Sequence, residues 1–518
     1  MLEAIRVNRT CAFCEKPELQ VQYLIEGPFA YICNECVATS TSLLEQRVGA
    51  ADSGKDGERL VRGFAPPGRR YAHEALRAHF APLASDALVT AARSFPARTR
   101  ADLQRALDRY LATDGAQGFH GLHYRYAFET VAFAALLHTG NEPVTLAPAS
   151  YEEIDVGEDE PVRCLENGLW LLERDGMKLA VHLTSRQEYM RKIGMQLEIA
   201  VPAGEQGERI TRDMLQRIDA ALQEARSYRG KMLSLQSDSR SGQVVGVTVH
   251  RIEPVAREDI VLPAATLELL ERNVVDFSRS RAALARLGMQ VKKGLLFYGP
   301  PGTGKTYTIR YLASVLPGHT TLIITAEEVS QLKEYMALAR FLQPSIVVIE
   351  DADLIARNRE QMGPCEEVLL NRLLNEMDGL QEDAEVLFIL TTNRPEALEE
   401  AVANRPGRVD QAIEFPLPDA DGRRKLAALY GRGLPVTPAL LGAVAAKTGE
   451  VSPAFIKELM RRTAQLYAES GTTGAVGADL IDRALQEMVF RGGRLNVRLL
   501  GGDVSALPEV SSSSAQRL

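Results

Sequence analysis

Three apolar runs in the second half of the chain each end in polar residues, which is a pattern typical of buried parallel strands. The runs are Leu295–Tyr298, Ser345–Ile349 and Val386–Leu390. A stretch from Tyr307 to Leu316, which is predicted to be helical, follows the first run. Because parallel strands share one carboxyl edge of a sheet, the residues after these runs are expected to meet where α/β sheets bind ligands.

The first run continues directly into a glycine-rich loop that is suited to binding phosphate. The loop consists of Gly299, Pro300, Pro301, Gly302, Thr303, Gly304, Lys305 and Thr306. Its glycines let backbone N–H groups turn toward phosphate oxygens, Lys305 can reach the β and γ oxygens, and the Thr306 hydroxyl can ligate Mg²⁺. A structural Gly-Pro turn is the alternative, but the strand before the loop and the helix after it favour a site for ATP and Mg²⁺.

Polar residues beyond the other two runs supply groups suited to hydrolysis. Glu350 and Asp351 follow the second run, and Asn393 follows the third, where its amide could position a water molecule against the γ-phosphate. Two further candidates, Arg405 and Arg408, flank a Pro-Gly turn. Arginines of this kind stabilise transition-state charge, and a neighbouring subunit commonly supplies them.

These motifs resemble the AAA branch of the AAA+ ATPases over about residues 255 to 495. The resemblance implies an α/β P-loop fold with a helical lid, and a homo-oligomer that is usually a hexameric ring. It also implies that Asn393 is the first sensor and that Arg405 and Arg408 are fingers acting on a neighbouring subunit's nucleotide. The run from Leu373 to Leu380 is similar to the family's intersubunit signalling segment. If the resemblance does not hold here, the two arginines form a solvated basic turn.

The acidic pair departs from the usual AAA order, which is Asp followed by Glu. This chain has Glu350 followed by Asp351, as in some members that resemble the mitochondrial inner-membrane translocases. The resemblance implies that Glu350 helps to hold Mg²⁺ and that Asp351 orients or deprotonates water. The Asp351 side chain is one methylene group shorter than the usual glutamate, so its carboxylate has a shorter reach. Because small misplacements of a catalytic group lower the rate steeply, slow hydrolysis is expected.

The family's usual grip on a substrate polypeptide is also altered. Ring unfoldases usually carry an aromatic-apolar-glycine loop after the second strand, but here Thr321 to Thr325 leads almost at once into a predicted helix, Ala326 to Gln343. Apolar residues recur at helical spacing in this stretch, so Tyr335 is expected to pack or to lie on the helix surface rather than grip substrate. Threading of polypeptide through a pore is therefore left open.

Two pairs of cysteines near the start of the chain predict a metal site. The residues are Cys11, Cys14, Cys33 and Cys36. Four thiolates in two such pairs form a closed tetrahedral site for structural Zn²⁺. Two disulfides or a redox pair are the alternative, but no secretory signal and no membrane-spanning run is recognisable in the sequence, which favours a reducing cytoplasm and a metal.

Residues 10 to 46 resemble the N-terminal zinc-binding domain of the ClpX unfoldase, through the cysteine pairs and the stretches Leu24–Pro28 and Tyr31–Cys33. The resemblance implies a module that dimerises and recruits adaptors or substrates. Residues 1 to 50 hold four Lys or Arg against six Glu, which argues against nucleic acid because phosphate binding requires an excess of cations. The module is therefore expected to dock proteins.

The predicted domain plan has several parts. They are a zinc module at 1–48, a linker at 49–70, an α+β middle domain at 71–250, the large ATPase subdomain at 251–418, a helical lid at 419–500 and a disordered tail at 501–518. Within the middle domain, Tyr71 to His138 is predicted to be helical and later residues to form strands, with Trp170 in the core. Lys457 in the lid is a candidate second sensor, although several AAA+ clades have arginine there.

Three functional classes follow from these features. The favoured hypothesis is an ATP-driven protein-remodelling chaperone or unfoldase that recruits protein clients or adaptors through the zinc module and the middle domain. A nucleotide-switched assembly scaffold with slow hydrolysis would suit the exchanged carboxylates, and a nucleic-acid-directed motor would share the ATPase architecture. The formal charge of −8 provides no general attraction to nucleic acid or to anionic membranes.

Overall fold

The chain forms two compact units, Met1–Arg69 and Arg70–Leu518. The computed structural model describes residues 11–14, 16–17, 20–26, 31–39, 70–111, 118–124, 130–139, 142–188, 191–225, 227–237, 244–357, 375–376, 384–396, 409–471 and 473–488. The predicted linker up to residue 69, Arg405, Arg408, the predicted tail and all but two residues of the predicted signalling segment lie outside the described residues.

The first unit contains a small antiparallel ribbon and a short helix. Strand β1 (Leu24–Glu26) pairs with β2 (Tyr31–Cys33), and a helix over 34–39 follows β2 directly. The Ala12 N–H donates a hydrogen bond of 2.8 Å to the Tyr31 carbonyl. This bond joins the segment carrying the first cysteine pair to the ribbon that ends in the second pair.

The first part of the second unit contains eight strands in two sheets. The strands are β3 (Leu88–Pro96), β4 (Gly118–His123), β5 (Thr145–Ala147), β6 (Tyr151–Ile154), β7 (Val162–Leu165), β8 (Gly168–Arg174), β9 (Met177–Glu188) and β10 (Arg191–Pro202). Six of them form an antiparallel sheet in the order β3-β10-β9-β8-β4-β5, and β6 pairs with β7 separately. This part has the strand-rich character predicted for the later middle domain.

Helices cover both faces of the six-stranded sheet, so its central strands are apolar on both sides. On β8, Leu169 and Leu171 belong to the core on one face, and Trp170 and Leu172 belong to the core on the other. The helices are Arg100–Leu111 and Glu205–Glu224 on the Trp170 face, and Ala72–Phe80 and Phe133–Leu136 on the opposite face. Trp170 is therefore a core residue, as the sequence predicts.

The prediction of helix throughout Tyr71 to His138 is wrong, because β3 and β4 lie inside this range. β3 pairs with β10 along its whole length, beginning with Leu88 opposite Pro202. Ala91 and Ala92 favour helix locally. The pairing of β3 with a long neighbouring strand outweighs this preference, which is the usual result when tertiary context and local propensity disagree.

A seven-stranded sheet forms the core of the predicted ATPase domain. Its further strands are β11 (Met232–Ser237), β12 (Val244–His250), β13 (Lys293–Tyr298), β14 (Thr320–Ile324), β15 (Ser345–Ile349), β16 (Val386–Thr392) and β17 (Gln411–Glu414). The order is β12-β11-β14-β15-β16-β13-β17, and β12 is the one strand antiparallel to its neighbour. Every residue of β15 and β16 is buried, in agreement with their continuous apolar sequences.

Helices also cover both faces of this sheet. On β15, Val347 and Ile349 face the core that includes the helix Leu332–Phe341, and Ile346 and Val348 face the opposite core. The remaining helices around the sheet are Ala264–Glu271, Phe277–Arg286, Lys305–Val315 and Ala352–Arg357. The fold is therefore an α/β sheet with helices on both sides, as the spacing of apolar residues predicts.

The sheet extends beyond the predicted start of the ATPase domain at residue 251. β11 pairs in parallel with β14, and β12 forms the outer edge, although both strands precede that boundary. Tyr335 contributes to this extension because it is completely buried and its hydroxyl accepts a 2.8 Å hydrogen bond from the Leu235 N–H. Tyr335 is thus a packing residue, one of the two roles predicted for it, and its ring is not available to grip a substrate.

A helical lid follows the sheet. Its helices are Ala420–Tyr430, Pro438–Lys447, Pro453–Ser470 and Ala478–Gln486, and they share one apolar core. Side chains of Asp419, Thr437 and Ser452 cap the first three helices by accepting backbone N–H bonds. None of the helices in the described ranges combines the length and the apolar composition that crossing a bilayer requires.

Replacement of Tyr335 by Phe should destabilise the second unit by about 1 to 2 kcal/mol, because the buried Leu235 N–H loses its acceptor. The measurement is the midpoint of urea unfolding followed by Trp170 fluorescence and by circular dichroism. Tyr467→Phe is the matched control, since the Tyr467 hydroxyl bonds Gly474 at an exposed position. Equal midpoints for the two variants would contradict a structural role for the Tyr335 hydroxyl.

Candidate nucleotide site and metal centre

The glycine-rich loop is held tightly between the sheet and the lid. Gly299 has φ +147°, and a Cβ placed there would lie 2.3 Å from the carbonyl oxygen of Phe415. Gly302 has φ +77°, and a Cβ there would lie 2.9 Å from the Cβ of Ala454. Neither position accepts a side chain without movement of its neighbours. The loop leads into the amino terminus of the helix Lys305–Val315, which favours anions.

Lys305 lies at the centre of the loop with its ammonium group largely buried. Its Nζ donates to the carbonyl oxygens of Gly299 and Pro300 at 2.8 and 3.0 Å and to Asn393 Oδ1 at 2.8 Å. Burial lowers the pKa of Lys305 to about 8, although the Asp351 carboxylate opposes the shift. The ammonium group is therefore held at the loop by weak neutral acceptors, which phosphate oxygens can replace.

The two predicted carboxylates lie beside different partners. The Thr306 hydroxyl donates to Glu350 Oε1 at 2.7 Å, whereas Asn393 Nδ2 donates to Asp351 Oδ1 at 3.0 Å. Adjacent oxygen ligands on octahedral Mg²⁺ lie about 2.9 Å apart, so Thr306 and Glu350 fit neighbouring positions on one ion. The Asn393 amide contacts Lys305 through its oxygen and Asp351 through its nitrogen. It therefore connects the phosphate loop to the second carboxylate.

A third carboxylate, Asp353, forms hydrogen bonds with residues at the carboxyl end of β16. It is 3% exposed, and its Oδ1 accepts hydrogen bonds from the Thr392 hydroxyl at 2.9 Å and from the Asn393 N–H at 3.2 Å. Asp351 itself has φ +49°, and its N–H donates to Thr391 Oγ1 at 3.1 Å. The predictions did not assign a role to Asp353. The acidic run after β15 is the sequence feature that could have indicated a role for Asp353, but the sequence alone does not show which of these acids faces Asn393.

A cavity of about 600 Å³ adjoins the phosphate loop and extends toward the lid. The residues around it beyond the loop and strand ends are Asp259, Ile260, Val261, Leu262, Tyr307, Thr308, Leu426, Leu429, Tyr430, Arg432, Pro453, Ala454 and Lys457. Its size and its apolar walls suit a nucleoside. Arg432 of the lid pairs with Asp259 at 2.5 Å across this cavity. Only Lys457 among these residues is predicted from the sequence, because most of the others come from segments far from the loop in the chain.

The four cysteines of the first unit meet at one point. Their sulfur atoms all lie within 4.8 Å of one another, and Cys14 Sγ is 3.6 Å from Cys33 Sγ. Zinc bound tetrahedrally by thiolates separates the sulfurs by about 3.8 Å. Backbone N–H groups of Cys33 and Cys36 donate hydrogen bonds to the sulfurs of Cys11 and Cys33 at 3.3 and 3.4 Å.

The electrostatics of the cluster also fit a bound dication. Desolvation would raise the pKa of Cys11, but hydrogen bonds from three backbone N–H groups outweigh it and lower that pKa to about 6. The hydrogen bond shared with Cys14 and desolvation raise the pKa of Cys36 to about 12. Four thiolates in such a small volume therefore require a cation to be ionised together, and Zn²⁺ would supply that charge as a structural ion.

ATP affinity should fall as the pH rises from about 8 toward the ordinary lysine range, by about tenfold per pH unit, because only protonated Lys305 attracts phosphate. The pKa of Lys305 in the free protein is lowered to about 8, so its protonated fraction decreases over this interval. Calorimetric titration at a series of pH values measures the effect. Lys305→Arg is the control, since a guanidinium stays charged; a flat wild-type profile would contradict the assignment.

The purified protein should contain one zinc ion per chain, and its removal should unfold the first unit. Cys14→Ser should reduce the zinc content, because three ligands hold the ion more weakly than four. The control is Cys164→Ala, which replaces a buried cysteine of the second unit. Metal analysis of the variants is the measurement. Full zinc occupancy in Cys14→Ser would contradict the four-thiolate site.

Comparison with known proteins identifies both sites by family. Residues 295–417 match the ATPase family associated with various cellular activities (AAA), and residues 9–46 match the ClpX C4-type zinc finger. The residues between 46 and 295, which hold the six-stranded sheet, lie outside both matches.

Individual relatives match one part of the chain. The ATP-dependent zinc metalloprotease FtsH 2 of Symbiobacterium thermophilum is 33% identical over 233 residues, covering 42% of this chain and 39% of that protein. The cell division cycle protein 48 homolog of Archaeoglobus fulgidus is 36% identical over 191 residues, covering 35% of this chain and 24% of that protein. The matched stretches thus span less than half of these relatives. The chain carries an AAA ATPase domain together with a ClpX-type C4 zinc finger.

Proposed function

We propose that the protein is an ATP-dependent protein-remodelling ATPase that recruits clients or adaptors through its zinc module. The observation that carries this proposal is the pair of contacts at the strand ends: Thr306 with Glu350, and Asn393 with both Lys305 and Asp351. This arrangement separates a magnesium-binding pair from a water-binding pair. Hydrolysis of ATP requires both, because the phosphate charge must be neutralised while a water molecule is aligned for attack.

The proposed roles follow from these positions. Thr306 and Glu350 would hold Mg²⁺, which would supply positive charge against the β and γ phosphate oxygens. Lys305 exchanges its carbonyl contacts for those oxygens. Asp351 accepts a hydrogen bond from the attacking water and takes its proton as the water oxygen bonds to the γ-phosphorus; the bond between that phosphorus and the β–γ bridging oxygen breaks, and ADP leaves. The Asn393 amide fixes the direction of the Asp351 carboxylate.

The site is proposed to be completed by a neighbouring copy of the chain. Arg405 and Arg408 are assigned as fingers by their sequence position, and arginines supplied in this way raise hydrolysis rates by about a thousandfold or more. A ring of copies, in the hexameric form common among AAA proteins, provides such neighbours. The four-thiolate zinc site suits a reducing compartment, so the cytoplasm is the proposed location.

Remodelling of protein clients is supported by the type of zinc finger that accompanies the ATPase domain. The chain joins an AAA domain to a zinc finger of the ClpX type, and the acidic excess of that module disfavours nucleic acid. The relatives' zinc-metalloprotease activity is not part of the proposal. The 518 residues contain no His-Glu-x-x-His run, and four thiolates leave no open zinc position for chemistry.

A nucleotide-switched scaffold is the second candidate, and the short side chain of Asp351 favours it. Aspartate is one methylene group shorter than the glutamate that is usual at this position, which limits how far the carboxylate reaches toward the γ-phosphate. A ring that assembles with ATP and hydrolyses it negligibly would have this geometry. Both candidate functions use the same ATP-binding site, and they differ in the rate at which ATP is hydrolysed.

Asp351→Asn should retain ATP binding and lower the hydrolysis rate by about a hundredfold or more, because an amide cannot take the proton from water. Asparagine tolerates the left-handed backbone, so the fold of the loop should be unchanged. Single-turnover hydrolysis of radiolabelled ATP is the measurement. Asp421→Asn, at an exposed lid position paired with Lys425, is the control; an unchanged rate in Asp351→Asn would remove Asp351 from the proposed role.

Remodelling itself should appear as ATP-dependent unfolding of a folded reporter protein that carries an unstructured tail. Loss of reporter fluorescence is expected with ATP and not with a non-hydrolysable analogue, and Asp351→Asn should abolish it. ATP hydrolysis without any reporter unfolding, in the presence of an excess of tailed reporter, would contradict the remodelling function and leave the ATPase assignment standing.

A further inference from the structure

The six-stranded sheet of the second unit ends in a long edge strand. β3 (Leu88–Pro96) pairs with β10 on one side, and no described strand pairs with its other side. The opposite edge of the sheet, β5, has only three residues, and a bridge between Tyr71 and Thr145 covers part of it. β3 is therefore the long open edge of this sheet.

The direction of the backbone groups of β3 follows from its pairing with β10. Continuation of the register places Ala87 opposite Ala203, and the Ala203 N–H donates to the Ala87 carbonyl at 3.0 Å. Hydrogen-bonded pairs alternate with other pairs along an antiparallel ladder. The odd-numbered residues from Val89 to Phe95 therefore bond to β10, and the even-numbered residues between them direct their N–H and C=O groups away from it.

These even-numbered residues, Thr90, Ala92 and Ser94, form the outward set of β3. All three are exposed to solvent, so neither a helix nor a loop covers the strand at these positions. Their backbone groups form no hydrogen bond with any residue in the described ranges. An edge strand with such groups is a template on which another strand can pair.

β3 also lacks the features that usually protect an edge strand, which are bulges, internal prolines and outward charges. Its pairing with β10 is continuous from Leu88 to Pro96 without a bulge, and its only proline is the last residue. Its one charged side chain, Arg93, is not in the outward set and pairs with Asp219 of the helix Glu205–Glu224. Nothing in β3 itself therefore opposes the addition of a strand.

The outward set is complementary to itself in antiparallel orientation. With a twofold axis at Ala92, Thr90 of one copy lies opposite Ser94 of the other, and the two hydroxyl groups can form a hydrogen bond. Ala92 lies opposite its own equivalent, where two small side chains fit without a clash. This register pairs every backbone group of the outward set, in about six hydrogen bonds between the copies.

The other side chains of β3 are compatible with the same register. Val89 is 49% exposed although it is apolar, and in this register it lies opposite Phe95 of the second copy. A β-branched residue opposite an aromatic ring is a favourable cross-strand pair. Arg93 lies opposite Ala91, so no like charges face each other directly. The twofold pairing would thus cover an exposed apolar side chain without charge repulsion.

We propose that β3 pairs with β3 of a second copy of this chain, antiparallel and with Ala92 on the twofold axis. The pairing joins two six-stranded sheets into one. A twofold contact uses the same surface of both copies, whereas a ring contact uses two different surfaces, so β3 pairing requires no ATP. The pairing involves fewer residues than a stable interface, so a dissociation constant on the order of 10 µM is expected. The inference goes beyond the proposed function and does not depend on it.

Cysteine cross-linking of the full-length protein without nucleotide tests the register. Ala92→Cys should form a disulfide between two copies under mild oxidation, because opposite Cα atoms in a hydrogen-bonded pair lie about 5.5 Å apart. Thr90→Cys alone should not, since residues 90 of the two copies would lie about 14 Å apart. A mixture of Thr90→Cys and Ser94→Cys should form the mixed disulfide.

Two controls accompany this experiment. Wild-type protein reports cross-linking through the native cysteines, and Ala285→Cys, at an exposed position of the helix Phe277–Arg286, reports random collision. Equal yields for Ala92→Cys and Ala285→Cys, or for Thr90→Cys alone and the mixture, would overturn the inference.

Two other occupants of the edge are outcomes of the same test. Cross-linking of Ala92→Cys that appears only after residues 489–518 are deleted would assign the edge to the chain's own terminal segment. Cross-linking of Ala92→Cys to a cysteine-bearing unstructured polypeptide, in preference to a second copy, would assign it to a client. Either result would overturn pairing between copies.

Ala92→Lys should raise the dissociation constant of the dimer about tenfold or more, because two ammonium groups would face each other at the axis. Sedimentation velocity over a concentration series, without nucleotide, is the measurement. Ala285→Lys is the matched control, at an exposed alanine away from β3. Association through the zinc module would not respond to Ala92→Lys, so an unchanged dissociation constant in this variant would contradict pairing through β3.

Discussion

The parallel register of β13, β15 and β16 is the constraint on which the nucleotide site depends. Phe297 lies opposite Thr391, and Ile349 lies opposite Leu390, so the loops after the three strands begin at nearly the same height. Both faces of these strands are buried, and a shift of one residue would exchange the residues of the two cores. The hydrophobic packing therefore fixes the distances among Lys305, Glu350 and Asn393.

Local motifs explain why much of the site could be predicted from the sequence. A phosphate loop and a four-cysteine cluster each require particular residues at short spacings, and the order of strand and helix around the loop adds further information. The cavity beside the loop could not be predicted in the same way. Asp259 and Arg432 meet there although they are far apart in the chain, and neither residue carries a local signature.

The limits of the fold prediction have a similar physical origin. β3 contains alanines that favour helix, and only its long partner β10 makes a strand the better solution. β11 and β12 resemble the strands before them in composition, so nothing local assigns them to the ATPase sheet. Their placement depends on pairing with β14 and on the hydroxyl of Tyr335, both of which are contacts between distant residues.

The exchanged carboxylates link the geometry to the expected chemistry. The longer Glu350 side chain reaches the Thr306 hydroxyl, and the shorter Asp351 side chain is directed by Asn393. In the proposed function, this division assigns magnesium binding and water alignment to different residues. The proposed rate of hydrolysis is then sensitive to small movements at Asp351, so the proposed contacts with neighbouring subunits and with a client are expected to change that rate.

The steady-state ATPase rate is the most direct test of a client-driven ATPase. It should be measured over a series of protein concentrations, with and without an unstructured polypeptide, and with and without DNA. The account predicts a low basal rate that rises with protein concentration as neighbouring subunits assemble, and a further increase with polypeptide but not with DNA. Negligible turnover under every condition, with ATP still bound, would contradict the account and favour the nucleotide-switched scaffold.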